Sequence, residues 1–395
     1  MRAPGLLALP FLVLSCSSSS GTTQQPVTDG TPTTNPTVTA TSIFAHAEKD
    51  QIIECTTKLC RHNENTDLIR FGDAIYMIHR TAVGQVLGPN SSLRIFRSTD
   101  EGKTFSEPVI IPAPQAPLSA DDTAAKGRDI RDPSFYVVGD KLHLKTLARM
   151  PVSLPRDTGV DTRTLDMESS DGVTWTPYRQ IGPNGWSFWR VKEYKGTYYA
   201  AAYQDGDASV ALFTSTDAVT WTMGTTFYSD SNMADTPLEP EIVFMPSGKM
   251  MIYARNDGTD LEILGTAALK TRICWADAPY TTFDCSQVIM GQRLDGPVDF
   301  WMGKRLFVVA RKHLGADGRK RTALFEFTGN FDGGPLQVVE HAEFPSAGDT
   351  AYAGVVPLKN GHLLTTWYAS DVESDLTWAV AMALGTDIWR GEIQF

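Results

Sequence analysis

Gly72-Asp73-Ala74-Ile75-Tyr76, running on to Arg80, is a turn glycine followed by an apolar strand that ends on a cation. The same phrase returns five times: Gly139-Asp140-Lys141-Leu142 to Arg149, Gly196-Thr197-Tyr198-Tyr199 to Tyr203, Gly248-Lys249-Met250-Met251 to Arg255, Gly303-Lys304-Arg305-Leu306 to Arg311, and Gly361-His362-Leu363-Leu364 to Tyr368. Successive turn glycines stand 67, 57, 52, 55 and 58 residues apart, close to the period of a four-stranded propeller blade. One such sheet cannot bury both its faces. Six arranged radially can, so the expected fold is all-β, a six-bladed β-propeller of antiparallel blades around a central channel.

Working outward from the turns, the blades fall at about 61–112, 127–182, 184–234, 236–290, 292–340 and 344–395. Residues 42–60, with Ile52 and Ile53, are expected to supply an outer strand joining the last blade to the first, which removes the open sheet edge. Amphipathic periodicity of 3.6 is absent at useful length, so helices are not expected. The inserts Ala113–Lys126 and Pro151–Arg163, rich in Pro, Ala and charge, read as loops over one face.

The 395 residues carry a formal net charge of -11 with no basic cluster, which excludes a nucleic-acid partner. Aromatic residues make up 10% of the chain, enough rings for a core and for sugar platforms. Arg2 and the apolar run Leu6–Leu14 read as an export signal, residues 1–15, too short to span a bilayer. Val13-Leu14-Ser15-Cys16 resembles the lipobox of bacterial lipoproteins, which implies a lipid on Cys16 and a place in the bacterial cell envelope, facing the periplasm or the cell surface. Residues 16–41, almost wholly Ser, Thr, Gly, Pro, Gln and Asn in their first part, read as a flexible tether, and 42–395 as the propeller. An exported chain permits disulfides. Proximity pairs Cys55 with Cys60 and Cys274 with Cys285, although four cysteines allow two other pairings.

Three further segments repeat in phase with the blades: Ser98-Thr99-Asp100-Glu101-Gly102-Lys103-Thr104-Phe105, Ser169-Ser170-Asp171-Gly172-Val173-Thr174-Trp175 and Ser215-Thr216-Asp217-Ala218-Val219-Thr220-Trp221. In each, an Asp carboxylate and a Ser hydroxyl can satisfy the backbone N–H groups of a tight turn while the aromatic packs into the sheet. They resemble the Asp-box, or BNR repeat, of sialidases and related propellers. The segments Asp129-Ile130-Arg131-Asp132-Pro133-Ser134-Phe135, Trp186-Ser187-Phe188-Trp189-Arg190, Glu239-Pro240-Glu241-Ile242-Val243 and Gly348-Asp349-Thr350-Ala351-Tyr352 look like inner-strand motifs of the same sialidase-like superfamily of glycoside hydrolases.

Chemistry in a propeller gathers where the innermost strands converge. Polar residues about 8 to 12 positions before each turn glycine are therefore the candidates: Arg61, His62, Asn63 and Glu64; Arg128, Asp129, Arg131 and Asp132; Trp186 and Trp189, with Arg190 closer to its turn; Glu239; Arg293 and Asp295; Asp349 and Tyr352. The resemblance implies Tyr352 as the nucleophile, Glu239 as the base that takes its proton, and Arg255 and Arg311 as forks for an anionic group. Where the family has an Arg-Ile-Pro-like segment, the first blade has Arg61-His62-Asn63-Glu64, so a second chemistry stays open: two carboxylates among Asp132, Glu239 and Asp295 acting on a neutral or differently charged sugar. Arg131, Arg190, Asp349, Trp186 and Trp189 are expected to bind substrate. The alternative to a hydrolase is a non-catalytic glycan-binding propeller. No metal or other cofactor is expected, and the chain is expected to be a monomer.

Overall fold

Positive φ at all six turn glycines, between 56° and 89°, reverses the chain between the first and second strand of every blade. The computed structural model of the chain describes residues 30–48, 50, 54–86, 88–118, 128–150, 161–204, 208–229, 235–258, 269–315 and 318–395. The segment read as an export signal, Cys16, the first part of the stretch read as a tether, Ile52, Ile53 and most of both inserts lie outside them.

The first strand, β1 (Thr37–Ala45), belongs to the last blade. Blade 1 is β2 (His62–Phe71), β3 (Ala74–Ala82), β4 (Ser92–Ser98) and β5 (Val109–Pro112); blade 2 is β6 (Asp129–Val138), β7 (Lys141–Arg149), β8 (Thr162–Ser169) and β9 (Arg179–Gln180). Blade 3 is β10 (Trp186–Tyr194), β11 (Thr197–Gln204), β12 (Ser209–Ser215) and β13 (Thr222–Tyr228), and blade 4 is β14 (Asp235–Phe244), β15 (Met250–Gly258), β16 (Lys270–Ala276) and β17 (Asp284–Met290). Blade 5 is β18 (Asp295–Met302), β19 (Arg305–His313), β20 (Lys320–Gly329) and β21 (Leu336–Glu343); blade 6 is β22 (Thr350–Pro357), β23 (Leu363–Ala369), β24 (Asp387–Gln394) and then β1. The protein is a six-bladed β-propeller. One short helix, α1 (Trp378–Ala381), interrupts the β23–β24 connection, where the sequence shows no helical period.

The ring closes by antiparallel pairing of β1 with β24, Thr37 opposite Gln394 and Ala45 opposite Ile388. This strand starts at Thr37, within the stretch read as tether, rather than within 42–60. Thr37, Val38, Thr39, Thr41 and Ile43 are β-branched, and the Thr and Ser42 hydroxyls tolerate solvent, which suits an outermost strand with only partial burial. Just upstream, the chain is fastened to blade 5: Lys304 N–H donates to Thr31 Oγ1 (3.0 Å) and Arg305 Nη1 to the carbonyls of Pro32 (3.3 Å) and Thr34 (2.9 Å). These contacts sit at the turn-glycine end of the propeller.

The core consists of apolar layers, one at each seam between neighbouring blades. Ile78, Leu93 and Ile95 meet Phe135, Leu142 and Leu144 between blades 1 and 2, and Val243, Tyr253 and Ile273 meet Trp301, Val308 and Phe325 between blades 4 and 5. Leu68, Ile75 and Met77 meet Val356 and Leu364 across the closing seam. Both expected disulfides form, Cys55–Cys60 and Cys274–Cys285. In the three repeated turns, Ser98, Ser169 and Ser215 each donate to the following Asp, and Asp100, Asp171 and Asp217 accept from the backbone N–H groups of Thr104, Thr174 and Thr220. These turns lie on the outer strands, away from the axis.

Candidate active site at the axial bulges

Every innermost strand carries a β-bulge, two residues opposite one, at the same height. The extra pairs are Asn65-Thr66, Asp132-Pro133, Trp189-Arg190, Glu239-Pro240, Gly296-Pro297 and Tyr352-Ala353. The first member has positive φ in five of them: Asn65 52°, Asp132 50°, Glu239 53°, Gly296 55° and Tyr352 50°. A bulge breaks the alternation of a strand and re-aims one side chain. Repeated around the ring, it turns six positions to one place. Positive φ in a Glu and a Tyr costs about 1–3 kcal/mol each, and such strain collects at functional sites.

Tyr352 is the centre of this ring. Its hydroxyl donates to Glu239 Oε1, while Arg255 Nη1 donates to the same carboxylate oxygen (2.8 Å) and to the Tyr352 hydroxyl (3.4 Å). Gly296 N–H holds the other carboxylate oxygen at 2.6 Å. Burial pushes the Glu239 carboxyl above its ordinary range, against the pull of Arg255 and with a contribution from Asp295. Burial and the neighbouring Glu239 raise the Tyr352 phenol well above its usual value. Tyr352 therefore keeps its proton at neutral pH, with a strengthened base in contact to receive it.

Blade 5 contributes absence. A Cβ on Gly296 would lie 2.6 Å from the Tyr352 ring, so glycine clears the space the phenol occupies. Gly296→Ala is expected to lower any Tyr352-dependent turnover by roughly 100-fold through displacement of the ring. Steady-state kinetics beside a melting curve check this, since a merely unstable variant would lose both.

Beside Tyr352 lies a small cleft lined by Asn65, Thr66, Asp132, Pro133, Ser134, Lys145, Trp189, Arg190 and Tyr352. The Trp189 ring meets Tyr352 edge-on with centroids 6.0 Å apart. Among the described residues of the wall, Asp132 is the only carboxylate; its Oδ1 accepts from Asn65 (2.8 Å) and Arg131 lies 3.4 Å from Oδ2. Beneath the cleft an ion-pair chain crosses the channel from Asp67 to Arg190 (2.6 Å), to Glu241 (3.5 Å), to Lys192 (2.5 Å) and to Asp299 (3.4 Å).

The structure thus brings Asp132, Glu239, Tyr352, Trp189, Arg131, Arg190 and Arg255 together. Asp295 stands one residue before the bulge and is closed by Arg293 (2.7 Å) and His313 (2.9 Å). Burial opposes its charge, yet Arg293, His313 and Arg255 hold it well below the carboxylate range. Asp349 accepts from Arg311 (3.0 Å) and from Trp378 of α1 (2.8 Å). Arg311 also donates to the Thr350 carbonyl and the Tyr368 hydroxyl, with its guanidinium 5.3 Å from the Tyr352 ring centroid. Trp186 is not at the cleft: it packs on Phe213 within the blade 3 core. Trp186 and Trp189 are three apart, so on a strand they point to opposite faces. Asn65, Gly296, Lys145 and Asp67 were not anticipated.

The strands that end on Arg or Tyr place those residues at this same end of the ring. Arg80 of blade 1 grips Asp129 of blade 2 (2.8 Å), Arg255 of blade 4 reaches Asp295 of blade 5 (4.0 Å), and Arg311 of blade 5 reaches Asp349 of blade 6. Each is a latch across a seam.

The sequence matches no family model and no curated protein. Solved structures do share its fold. Trypanosoma rangeli sialidase in complex with sialic acid has a TM-score of 0.59 at 12% identity, over 90% of this chain and 59% of that one. The NanB sialidase of Streptococcus pneumoniae has 0.58 at 11% over 90% and 70%, and the intramolecular trans-sialidase of Ruminococcus gnavus 0.55 at 11% over 87% and 98%. The chain spans about three fifths of the length of the T. rangeli enzyme. The likeness establishes a sialidase-like propeller fold.

Proposed function

We propose that the protein is a sialidase-like glycoside hydrolase that removes a terminal sugar from extracellular glycans. One observation carries this reading: Tyr352 contacts a buried base, Glu239, and also lines a cleft with Asp132 in its wall. In the proposed reaction Glu239 takes the phenol proton as the Tyr352 oxygen attacks the anomeric carbon, and Asp132 gives a proton to the departing glycosidic oxygen. Water then attacks the glycosyl-tyrosine bond with Asp132 as base, and the phenolate recovers its proton from Glu239. Arg255, in reach of both the phenol and the glutamate, steadies the charge that forms between them. The expected lipid on Cys16 would hold the monomeric enzyme in the bacterial envelope.

The test is a panel of aryl glycosides, including a sialoside, with the wild-type protein and Tyr352→Phe. Turnover of at least one member, reduced on the order of 10³-fold in the variant, supports the reading. Undiminished turnover in Tyr352→Phe removes it. Glycan binding without turnover is the competing function, favoured by the closure of Asp295 and Asp349 in ion pairs. Saturable binding of a sugar that is never cleaved would decide for it.

A further inference from the structure

Around the cleft, Arg131, Arg190, Arg255 and Arg311 are each closed by a carboxylate of the chain itself: Asp132 at 3.4 Å, Asp67 at 2.6 Å, Glu239 at 2.8 Å and Asp349 at 3.0 Å. Lys145 is different. It rises from β7 opposite Ser134, its side chain is 1% exposed, and among the described residues no carboxylate lies within ion-pair distance of it. Its Nζ makes one hydrogen bond, to the Asp132 carbonyl (2.8 Å), and lies 5.7 Å from the Trp189 ring centroid. An ammonium has three N–H donors, so two remain.

Two neighbours in the same wall are also unfilled. Ser134 Oγ and Trp189 Nε1 are buried with no hydrogen-bond partner. Leaving such groups unmet is costly, and an acceptor-rich ligand would recover that cost. A charged amine, an indole N–H and a hydroxyl on one side of a cleft fit a group made of several oxygens with negative charge.

We propose that Lys145 is the specificity-determining cation of the cleft, its ammonium taking an anionic substituent of the sugar, a carboxylate or a sulfate ester, with Ser134 and Trp189 completing the contact. This rests on the hydrolase reading for its kinetics, but binding tests it separately. Burial lowers the Lys145 amine to about 7, with Asp132 opposing that shift. The charged groups facing it are Asp132 of β6, Asp67 of β2, Arg190 of β10 and Glu241 of β14. Anion binding should accordingly be strongest below pH of about 7 and weaken as Lys145 loses its proton above it.

The experiment compares full-length wild type, Lys145→Met and Lys145→Arg on matched aryl glycosides: carboxylated, O-sulfated and neutral. Wild type should prefer one anionic class at least tenfold in kcat/KM. Lys145→Met should collapse that ratio by roughly 10- to 100-fold, mainly through KM, and Lys145→Arg should restore part of it. The two anionic arms say which oxygen group is recognised. An equal loss on anionic and neutral glycosides would mean that Lys145 only props up the Asp132 bulge, and a wild-type preference for neutral sugars would equally overturn the proposal. If nothing is cleaved, calorimetric titration with glucuronate, sulfated N-acetylglucosamine and glucose decides instead: an anion preference lost in Lys145→Met upholds the assignment, and no preference defeats it.

Discussion

Glu239→Gln is expected to lower kcat on the best-cleaved glycoside on the order of 10³-fold while KM stays within a few-fold, because positioned general bases contribute about 10²–10⁴. The substitution keeps the shape. Its amide oxygen can still accept from Gly296 N–H or the Tyr352 hydroxyl, the two bonds that orient the pair. What it removes is the ability to take a proton from a phenol whose pKa burial has raised. Without that transfer the attacking oxygen remains a neutral, weak nucleophile. Glu239 and Tyr352 act as one unit, so Glu239→Gln/Tyr352→Phe should be scarcely slower than either alone. Retention of a tenth of wild-type turnover in Glu239→Gln would exclude it as the base. Melting curves of both single variants are the control, since neither change opens a cavity.

Arg80→Met should destabilise the folded protein by about 3–5 kcal/mol, read as a lower urea midpoint with an unchanged slope. Arg80 is wholly buried, as is Asp129, and Glu64 nearly so. Its guanidinium spans two blades: Nε and Nη2 hold Asp129, Nη1 holds Glu64 (3.1 Å), and Nη2 also donates to the Gly84 carbonyl (3.0 Å). Methionine fills most of the same volume but leaves the buried Asp129, among the described residues, with only Arg131, at 3.9 Å, as a counter-ion. The cost comes from stranded charge rather than lost packing. Arg80→Met/Asp129→Leu should therefore recover a large part of the loss, since removing both members of a buried pair is far milder than removing one. Additive losses in the double variant would show that the latch contributes net attraction instead. Burial lifts Glu64 to about 8 despite Arg80, so Glu64 is already largely protonated at neutral pH and the loss falls mainly on the Asp129 side of the latch.

The blade count was legible because it is written locally and six times over. Turn glycines and the strands behind them need no knowledge of distant contacts, and the Arg or Tyr at each strand end lies where adjacent blades must be joined. Asp132, Glu239 and Tyr352 were candidates from their distance to the turn glycine, and the roles given to Glu239 and Tyr352 came from the resemblance; the structure places all three at the bulges. Asn65 and Gly296 escaped. The bulge residue stands seven positions before the turn glycine in blades 1, 2, 3 and 5 and nine before it in blades 4 and 6, whereas a window of eight to twelve selected Glu64 and Asp295 beside them. A signal was present: Pro133, Pro240 and Pro297 each follow a bulge residue, and proline inside a strand marks a break in the ladder. Lys145 was hidden for another reason. It lies on a second strand, and nothing in Leu144-Lys145-Thr146 tells that its amine crosses toward blade 3.

The fastening of Thr31, Pro32 and Thr34 to Lys304 and Arg305 has a consequence for presentation. The polypeptide arrives beneath the disc, at the rim formed by the hairpin glycines, while the bulge ring opens on the opposite surface. Whatever holds the preceding residues therefore grips the molecule from behind. The mouth and the point of attachment are separated by the seven to nine strand residues between bulge and hairpin glycine, on the order of 25 Å.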